Sequence, residues 1–439
     1  MLKAKNKLGL IFFPAYDWAI SPTHPEREER LLYTQDQLKE EGIFDVEGIV
    51  ELKPDIATDI DVMRTHFCFP DVESVTTQSH LISAGGAIRA ARAVLDGEVS
   101  SAFALVRPPG HHSMKCVHGN RGFCNINNEA IMIEYIRENY NIRRIAIVDT
   151  DCHHGDGTQD IYWHDPDVLF ISLHQDGRTL YPGTGHLREN GGPGAKGRTI
   201  NIPLPPHTSE EGFLYVIDEM VLPILEDFKP DLIVNSAGQD NHYTDPITNM
   251  NFTAKGYAML NDKLKPHIAV LEGGYSIQGA LPYVNLGIVL AMAGIDYSHV
   301  KEPDYDIRYH PQDEEITAYI KKLKKEVLNN YFSPMPDYMR ASPGEFTVRH
   351  KNIYYDTDGI HENQKEQIKT CKNCRGLLVI ESSSSVNPPS AGIEIPVDGC
   401  SKCKKEGYAL MEKMWKSREF VTIQMTDRVD KRYFRYSQY

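Results

Sequence analysis

The chain has 439 residues, room for one large domain with a small one beside it. Hydrophobic residues make up 41% and charged residues 25%, a balance that argues for a folded globular protein over a disordered one. The formal charge of -14 argues against nucleic acid as the main partner, because phosphate binding needs a basic surface, and suits cationic ligands such as lysine side chains or polyamines.

Residues 1–13 imitate a signal peptide, but the apolar run is short and Pro14 and Asp17 follow it, so residues 8–13 read as a first strand. Residues 14–29 have loop character, with three prolines, His24 and a run of charges. Helical spacing covers 30–41 and stops at Gly42. Residues 59–63 read as a strand, and 75–95 as a helix whose Gly85 and Gly86 call for close packing. A short apolar strand at 102–106 runs into the rigid segment Arg107-Pro-Pro-Gly-His-His112. Asn127 or Asn128 caps a helix at 129–139.

A buried strand at 144–148 leads into V-D-T-D-C-H-H-G-D-G at 148–157. Strands follow at 168–173, 231–235 and 267–271, and helices at 211–228, 253–265, 280–293 and 314–329, with a glycine-rich loop at 183–197. This alternation predicts a mainly parallel sheet covered on both faces. No segment approaches the ~20 apolar residues of a membrane span.

Residues 336–369 lack periodicity and read as a linker between a domain at 1–335 and a module at 370–439. Of eight cysteines, Cys371, Cys374, Cys400 and Cys403 form two C-x-x-C pairs 25 residues apart, the spacing of a tetrahedral four-cysteine zinc site. With strands expected at 377–380 and 393–397 the module resembles a zinc ribbon, too small to fold without its metal. From Ser401 onward 10 Lys and Arg face 5 Asp and Glu, a basic tail that reads first as a solvated face and alternatively as a docking surface for an acidic partner, nucleic acid included. Cysteine usage of this kind points to a reducing, cytoplasmic setting.

The chemistry gathers at strand ends. Asp149, Asp151 and His153 share one parity, ~7 Å apart on an extended backbone, and project to one face. Other strands end at His111 and His112, at Asp240 and at Tyr275, and the carboxyl ends of parallel strands share one rim. Asp151, His153 and Asp240 make an Asp/His/Asp metal shell with a coordination position left for water. Asp149 and Asp156 are available to build His–Asp pairs with His111 and His112, and Tyr275 can aim a donor at an oxyanion.

Arg107-Pro-Pro-Gly-His-His112, Gly122-Phe-Cys124, Asp149-Thr-Asp-Cys-His-His-Gly-Asp-Gly157, Ile171-Ser-Leu-His174, Tyr181-Pro-Gly-Thr-Gly185, Ala237-Gly-Gln-Asp240 and Leu271-Glu-Gly-Gly-Tyr275 together resemble the zinc-dependent histone deacetylase family, which includes acetylpolyamine amidohydrolases. The likeness runs in order across residues 8–335 and implies the arginase/deacetylase α/β fold, an eight-stranded parallel sheet sandwiched by helices. It implies zinc on Asp151, His153 and Asp240, with His112 as general base and then acid, supported by Asp156. His111, paired with Asp149, would be the electrostatic partner, and Tyr275 would polarise the carbonyl. It further implies a channel with Phe123 and Tyr181 as walls and Gly122 at its floor. An inner K+ or Na+ site would use Asp149, Asp151, His153, Ser172 and Leu173. Gln239 and Thr244 depart from the family pattern near Asp240, which puts the channel rim in question.

The expected reaction is hydrolysis of an acylated lysine side chain in a protein or peptide, releasing acetate and the free amine. An acetylpolyamine is the alternative substrate, a non-catalytic acyl-lysine scaffold the alternative of another class, and a homo-oligomer a possible assembly.

Overall fold

A computed structural model describes residues 2–13, 19–305, 311–334 and 342–438. Ten strands lie in its first three hundred residues: β1 Lys3–Phe12, β2 Glu47–Leu52, β3 Phe67–Cys68, β4 Ser101–Leu105, β5 Cys116–Val117, β6 Ile145–Asp149, β7 Val168–Gln175, β8 Thr199–Leu204, β9 Leu232–Ala237 and β10 Ile268–Leu271. Eight of them form one sheet in the order β2-β1-β4-β10-β9-β6-β7-β8, every neighbouring pair parallel. Strands β4, β6 and β10 are buried along their whole length, as a parallel sheet sandwiched by helices requires. The strands that end in chemistry, β4, β10, β9 and β6, are the four central neighbours, so their carboxyl ends open onto one short stretch of rim.

The two sheet strands without a sequence expectation, β2 and β8, are the two edges. Glu47-Gly-Ile-Val-Glu-Leu carries charge, and β8 contains Pro203; both are tolerated where only one side of a strand is paired. Residues 59–63, expected as a strand, form a helix, because Thr58 and Asp61 close a capping box around its first turn. The helix expected at 75–95 is two, Val72–Val75 and Gln78–Leu95. In the longer one a Cβ on Gly85 would collide with the Asp55 carbonyl, the close packing expected there.

The C-terminal part is larger than a ribbon. Its strands are β11 Phe346–Tyr355, β12 Ile360–Lys369, β13 Leu377–Ser384, β14 Ser390–Ile395, β15 Thr422–Asp427 and β16 Arg432–Ser437, joined in that order into one sheet. All pairs are antiparallel except β14 and β15, which are parallel and connected through the helix Ser401–Ser417. The expected basic tail is therefore this helix and a hairpin. The module also has a core of its own, Leu377, Val379, Ala391, Ile393, Ile395, Met411, Phe420, Ile423 and Met425, so it does not depend on metal alone.

The expected linker at 336–369 is corrected for most of its length: β11 and β12 form a long hairpin in this sheet, while residues 335–341 lie outside the described residues. The reason is chemical. Along β12 the inward positions include Glu362, Gln364 and Glu366, all buried, so the alternation is polar against polar and no hydrophobic period appears. Glu362 takes bonds from the Tyr355 hydroxyl (2.8 Å) and the Ser382 hydroxyl (2.6 Å). Glu366 pairs with Arg349 (2.9 Å), Lys351 (3.2 Å) and, across the join, His164 (3.2 Å).

The module is docked on the parallel-sheet unit. Phe67, Phe69 and Cys116 pack with Ile380. Gln424 accepts from the Cys68 N–H (3.2 Å) and donates to the His66 carbonyl (2.6 Å). Buried ion pairs cross the same join, Lys115 with Glu394 and Arg428 with Glu134 among them.

Candidate active site

The side chains singled out at the four strand ends meet. Among the described residues, Asp151, His153 and Asp240 bring one ligand atom each within 4.8 Å of one another, all buried. His153 Nδ1 lies 2.7 Å from Asp240 Oδ2 and 3.3 Å from Asp151 Oδ1. Backbone amides aim both carboxylates. Asp151 accepts from the Gly273 N–H (2.7 Å) and the His153 N–H (2.8 Å), and Asp240 from the Cys152 N–H (2.7 Å). Gly238 and Gly273 leave the space for this, since a Cβ on Gly238 would strike the Asp151 carboxylate. Burial lowers the His153 pKa, but the two carboxylates outweigh it and push it up to about 10. The attraction of both carboxylates for a cation at this point, together with the O, N, O donor set, suits zinc.

Two His–Asp pairs stand over it. His111 Nδ1 is 3.1 Å from Asp149 Oδ2, and His112 Nδ1 is 2.9 Å from Asp156 Oδ1. The two imidazoles have centroids 4.1 Å apart and separate in charge. For His111 burial lowers the pKa, but Asp151 and Asp149 raise it well above the ordinary value. For His112 burial and the neighbouring His111 push it down to about 3 against the pull of Asp156.

These groups open on a cavity of about 220 Å³ lined by His111, His112, Gly122, Phe123, His153, Leu180, Tyr181, Ile247, Tyr275 and Asp356. Gly122 sits at φ 53 with the His112 ring directly against it; a Cβ there would approach the His112 Cγ to 2.8 Å. Phe123 stands edge-on to Tyr275 at 5.6 Å and to His24 at 4.4 Å. Tyr181 stands edge-on to His112 at 5.1 Å. The residues expected as walls and floor are therefore at the cavity. Leu180, Ile247 and Asp356 join them without a sequence signal that singled them out. A larger cavity, about 330 Å³, lies at the join between the sheets, lined by Lys115, Glu134, Glu394 and Arg428 among others, which pair with one another.

Gln239 and Thr244 do not reach the cavity. Gln239 is buried and donates to the Asn285 side chain, and Thr244 bonds the Ser276 hydroxyl at 2.6 Å. His154, without an assigned role beyond packing, is buried between Thr184 (2.8 Å) and Gln159 (3.1 Å). Ser172 lies directly across the sheet from Asp149, both fully buried, and its hydroxyl pairs with His174 Nδ1 at 2.9 Å.

Two supports were invisible in the sequence. Arg121 binds Asp156 through two nitrogens (2.8 and 2.6 Å), on the carboxylate that also orients His112. Behind Tyr275, the fully buried Arg30 donates to the Gly274 carbonyl (2.7 Å) and the Glu272 carbonyl, pairs with Glu26, and places its guanidinium 5.0 Å from the Tyr275 ring. Arg107 holds the other oxygen of Glu26 at 2.8 Å.

The second metal-type cluster is Cys371, Cys374, Cys400 and Cys403, with sulfurs within 4.8 Å of one another. Backbone amides point at two of them, Asn373 N–H to Cys371 Sγ (3.5 Å) and Gly376 N–H to Cys374 Sγ (3.3 Å). A backbone N–H bond from Cys403 draws the Cys400 thiol down to about 7, toward the thiolate a metal needs. The group is consistent with the expected ribbon-type zinc site.

Comparison with known proteins agrees with this geometry. The Histone deacetylase domain family matches residues 67–286. A probable deacetylase of Archaeoglobus fulgidus is 49% identical over 324 residues, covering 67% of this chain and 89% of that protein. The acetoin utilization protein AcuC of Bacillus subtilis is 31% identical, covering 69% of this chain and 86% of its own length. A histone deacetylase HDA1 of Candida albicans is 30% identical, across 88% of this chain and 51% of the other. In three dimensions, the crystal structure of the HDA15 HD domain superposes with a TM-score of 0.65 at 24% identity, over 76% of this chain and 98% of that one, a likeness of fold. No helix among the described residues is long and apolar enough to cross a membrane. With the family match, the close relatives and the parallel eight-stranded sheet in agreement, the chain belongs to the histone deacetylase family and is a hydrolase of acetylated substrates.

Proposed function

We propose that the chain hydrolyses the side-chain amide of acyl-lysine residues, with zinc on Asp151, His153 and Asp240. The observation that carries this is the meeting of that ligand cluster, two His–Asp pairs and Tyr275 at the base of one cavity with Phe123, Leu180, Tyr181 and Ile247 on its sides. Such walls suit a methylene stem. Bound zinc supplies Lewis acidity, lowering the pKa of a water toward ~7 and polarising an amide carbonyl.

The chain's own groups do the rest. His112, held neutral at pH 7 by burial and by His111, accepts a proton at Nε2 while Asp156 fixes its Nδ1. The same nitrogen then delivers a proton to the departing amine. His111, held against Asp149 at 3.1 Å, is the second imidazole placed to steady negative charge building in the cavity. Tyr275, fixed from behind by Arg30, donates its O–H to the oxyanion.

A K+ or Na+ ion at Asp149, Asp151, His153, Ser172 and Leu173 is supported by the register that sets buried Ser172 beside Asp149. The four cysteines hold a second zinc, and none of the eight cysteines is paired in a disulfide, which suits a reducing cytoplasm.

The test is turnover of an acetyl-lysine peptide, longer acyl-lysine peptides and N-acetylputrescine by zinc-loaded protein. Acetyl-lysine peptide is expected to be turned over and Tyr275→Phe to lower its kcat by about 10²–10³, with zinc content unchanged. Inertness toward the acyl-lysine peptides, or full activity of Tyr275→Phe, contradicts the assignment. For the second zinc, Cys400→Ser is expected to remove one metal of the two per chain and leave the other in place, read by elemental analysis. Retention of both ions counts against a four-cysteine site.

A further inference from the structure

The C-terminal module reaches the cavity. The turn between β11 and β12, Asp356-Thr-Asp-Gly359, is pinned to the segment that forms the channel floor. Asp358 Oδ2 accepts from the Asn120 N–H (2.6 Å), and Asp356 Oδ1 accepts from both the Gly122 N–H (3.0 Å) and the Tyr181 hydroxyl (2.9 Å). Asp356 is solvent-exposed and also lines the catalytic cavity. Both of its bonds fall on Oδ1, so among the described residues Oδ2 has no hydrogen-bond partner. Arg121, with its guanidinium 5.7 Å from the Tyr181 ring, is already bound through two nitrogens to Asp156. A carboxylate charge thus stands at the cavity entrance, supplied by a module outside the parallel sheet.

We propose that Asp356 is a specificity residue that binds an alkylammonium or guanidinium group of the substrate just outside the methylene stem. This rests on the acyl-amide hydrolase reading above. The chemistry has two sources. One is a basic residue next to the acyl-lysine in a peptide. The other is the free ammonium of an acetylpolyamine, which in N-acetylputrescine follows four methylenes and so falls where the lysine Cα would be. An exposed carboxylate binds such a group modestly and in a salt-dependent way.

The experiment compares Asp356→Asn with the wild type in kcat and KM. Asparagine keeps the side-chain oxygen that accepts from Gly122 and Tyr181, and removes only the charge. Three substrates are used: an acetyl-lysine peptide flanked by arginine, the same peptide with citrulline, and N-acetylputrescine. The wild type is expected to favour the arginine peptide over the citrulline peptide by about five- to tenfold in kcat/KM at low salt. Asp356→Asn is expected to bring that ratio near one by raising KM on the arginine peptide more than on the citrulline peptide. A loss confined to N-acetylputrescine assigns the cation to a polyamine; a loss on the arginine peptide assigns it to a peptide neighbour. Equal losses on charged and neutral substrates, or none on any, overturn the proposal, the former leaving Asp356 a support for Tyr181 and Gly122. Inertness of the wild type toward all three overturns instead the hydrolase reading beneath it.

Discussion

Asp240→Ala is expected to lower kcat/KM on an acetyl-lysine peptide by at least about 10⁴-fold, since it removes one ligand of a three-ligand cluster that has no spare among the described residues. Bound zinc should fall from two ions per chain to one, because the cysteine cluster is untouched. Asp240 also accepts from the Cys152 N–H, so alanine leaves that buried donor without its carboxylate. Asp240→Asn, run in parallel, can keep that bond through its amide oxygen while weakening the metal shell. If both variants lose activity and metal together, the effect belongs to the ligand. Undiminished hydrolysis by Asp240→Ala would remove the zinc assignment altogether.

Arg30→Leu carries the largest expected loss of stability. Arg30 is fully buried, pairs with Glu26, and donates to the carbonyls of Glu272 and Gly274. Leucine keeps the apolar stem but leaves two carbonyls unsatisfied and takes one of two cations from a fully buried Glu26. Breaking a buried pair from one side costs about 3–5 kcal/mol, equivalent to roughly 3–5 °C in unfolding temperature for a chain of this length. Because the same guanidinium lies 5.0 Å from the Tyr275 ring, kcat should fall as well. The half-exposed neighbour Arg27, changed to Leu, is expected to shift stability by under about 0.5 kcal/mol. Thermal unfolding followed by circular dichroism separates the two; equal midpoints for both variants would show that the Arg30 network does not carry stability.

The candidate cluster was legible because parallel sheets put chemistry at strand ends, and each of β4, β6, β9 and β10 shows an apolar run followed at once by a polar motif. Local pattern was enough to collect His111, His112, Asp149, Asp151, His153, Asp156, Asp240 and Tyr275. What escaped depended on contacts between distant parts of the chain. Glu26 and Arg30 sit in a charged run that reads as a solvated surface, yet Arg30 meets Glu272 and Gly274, more than 240 positions away. Arg121 precedes the channel glycine and gives no periodic signal, and only the fold brings it to Asp156. Asp356 lies in a stretch that read as linker, because the hairpin around it hides polar side chains where a hydrophobic period would be sought.

That hidden polar face has a further consequence. Were β12 displaced by a single residue along its neighbours, Glu362, Gln364 and Glu366 would turn to water, and His361, Asn363 and Lys365 would face the catalytic unit in their place. The ion pairs of Glu366 with His164 and Lys351, and the bonds on Glu362, exist in one alignment only. A greasy inner surface would tolerate sliding far better than this set of matched charges does. The hairpin works like a keyed ruler: its charges set the length of arm that delivers Asp356, and a misaligned arm would put the carboxylate ~3.3 Å off the entrance.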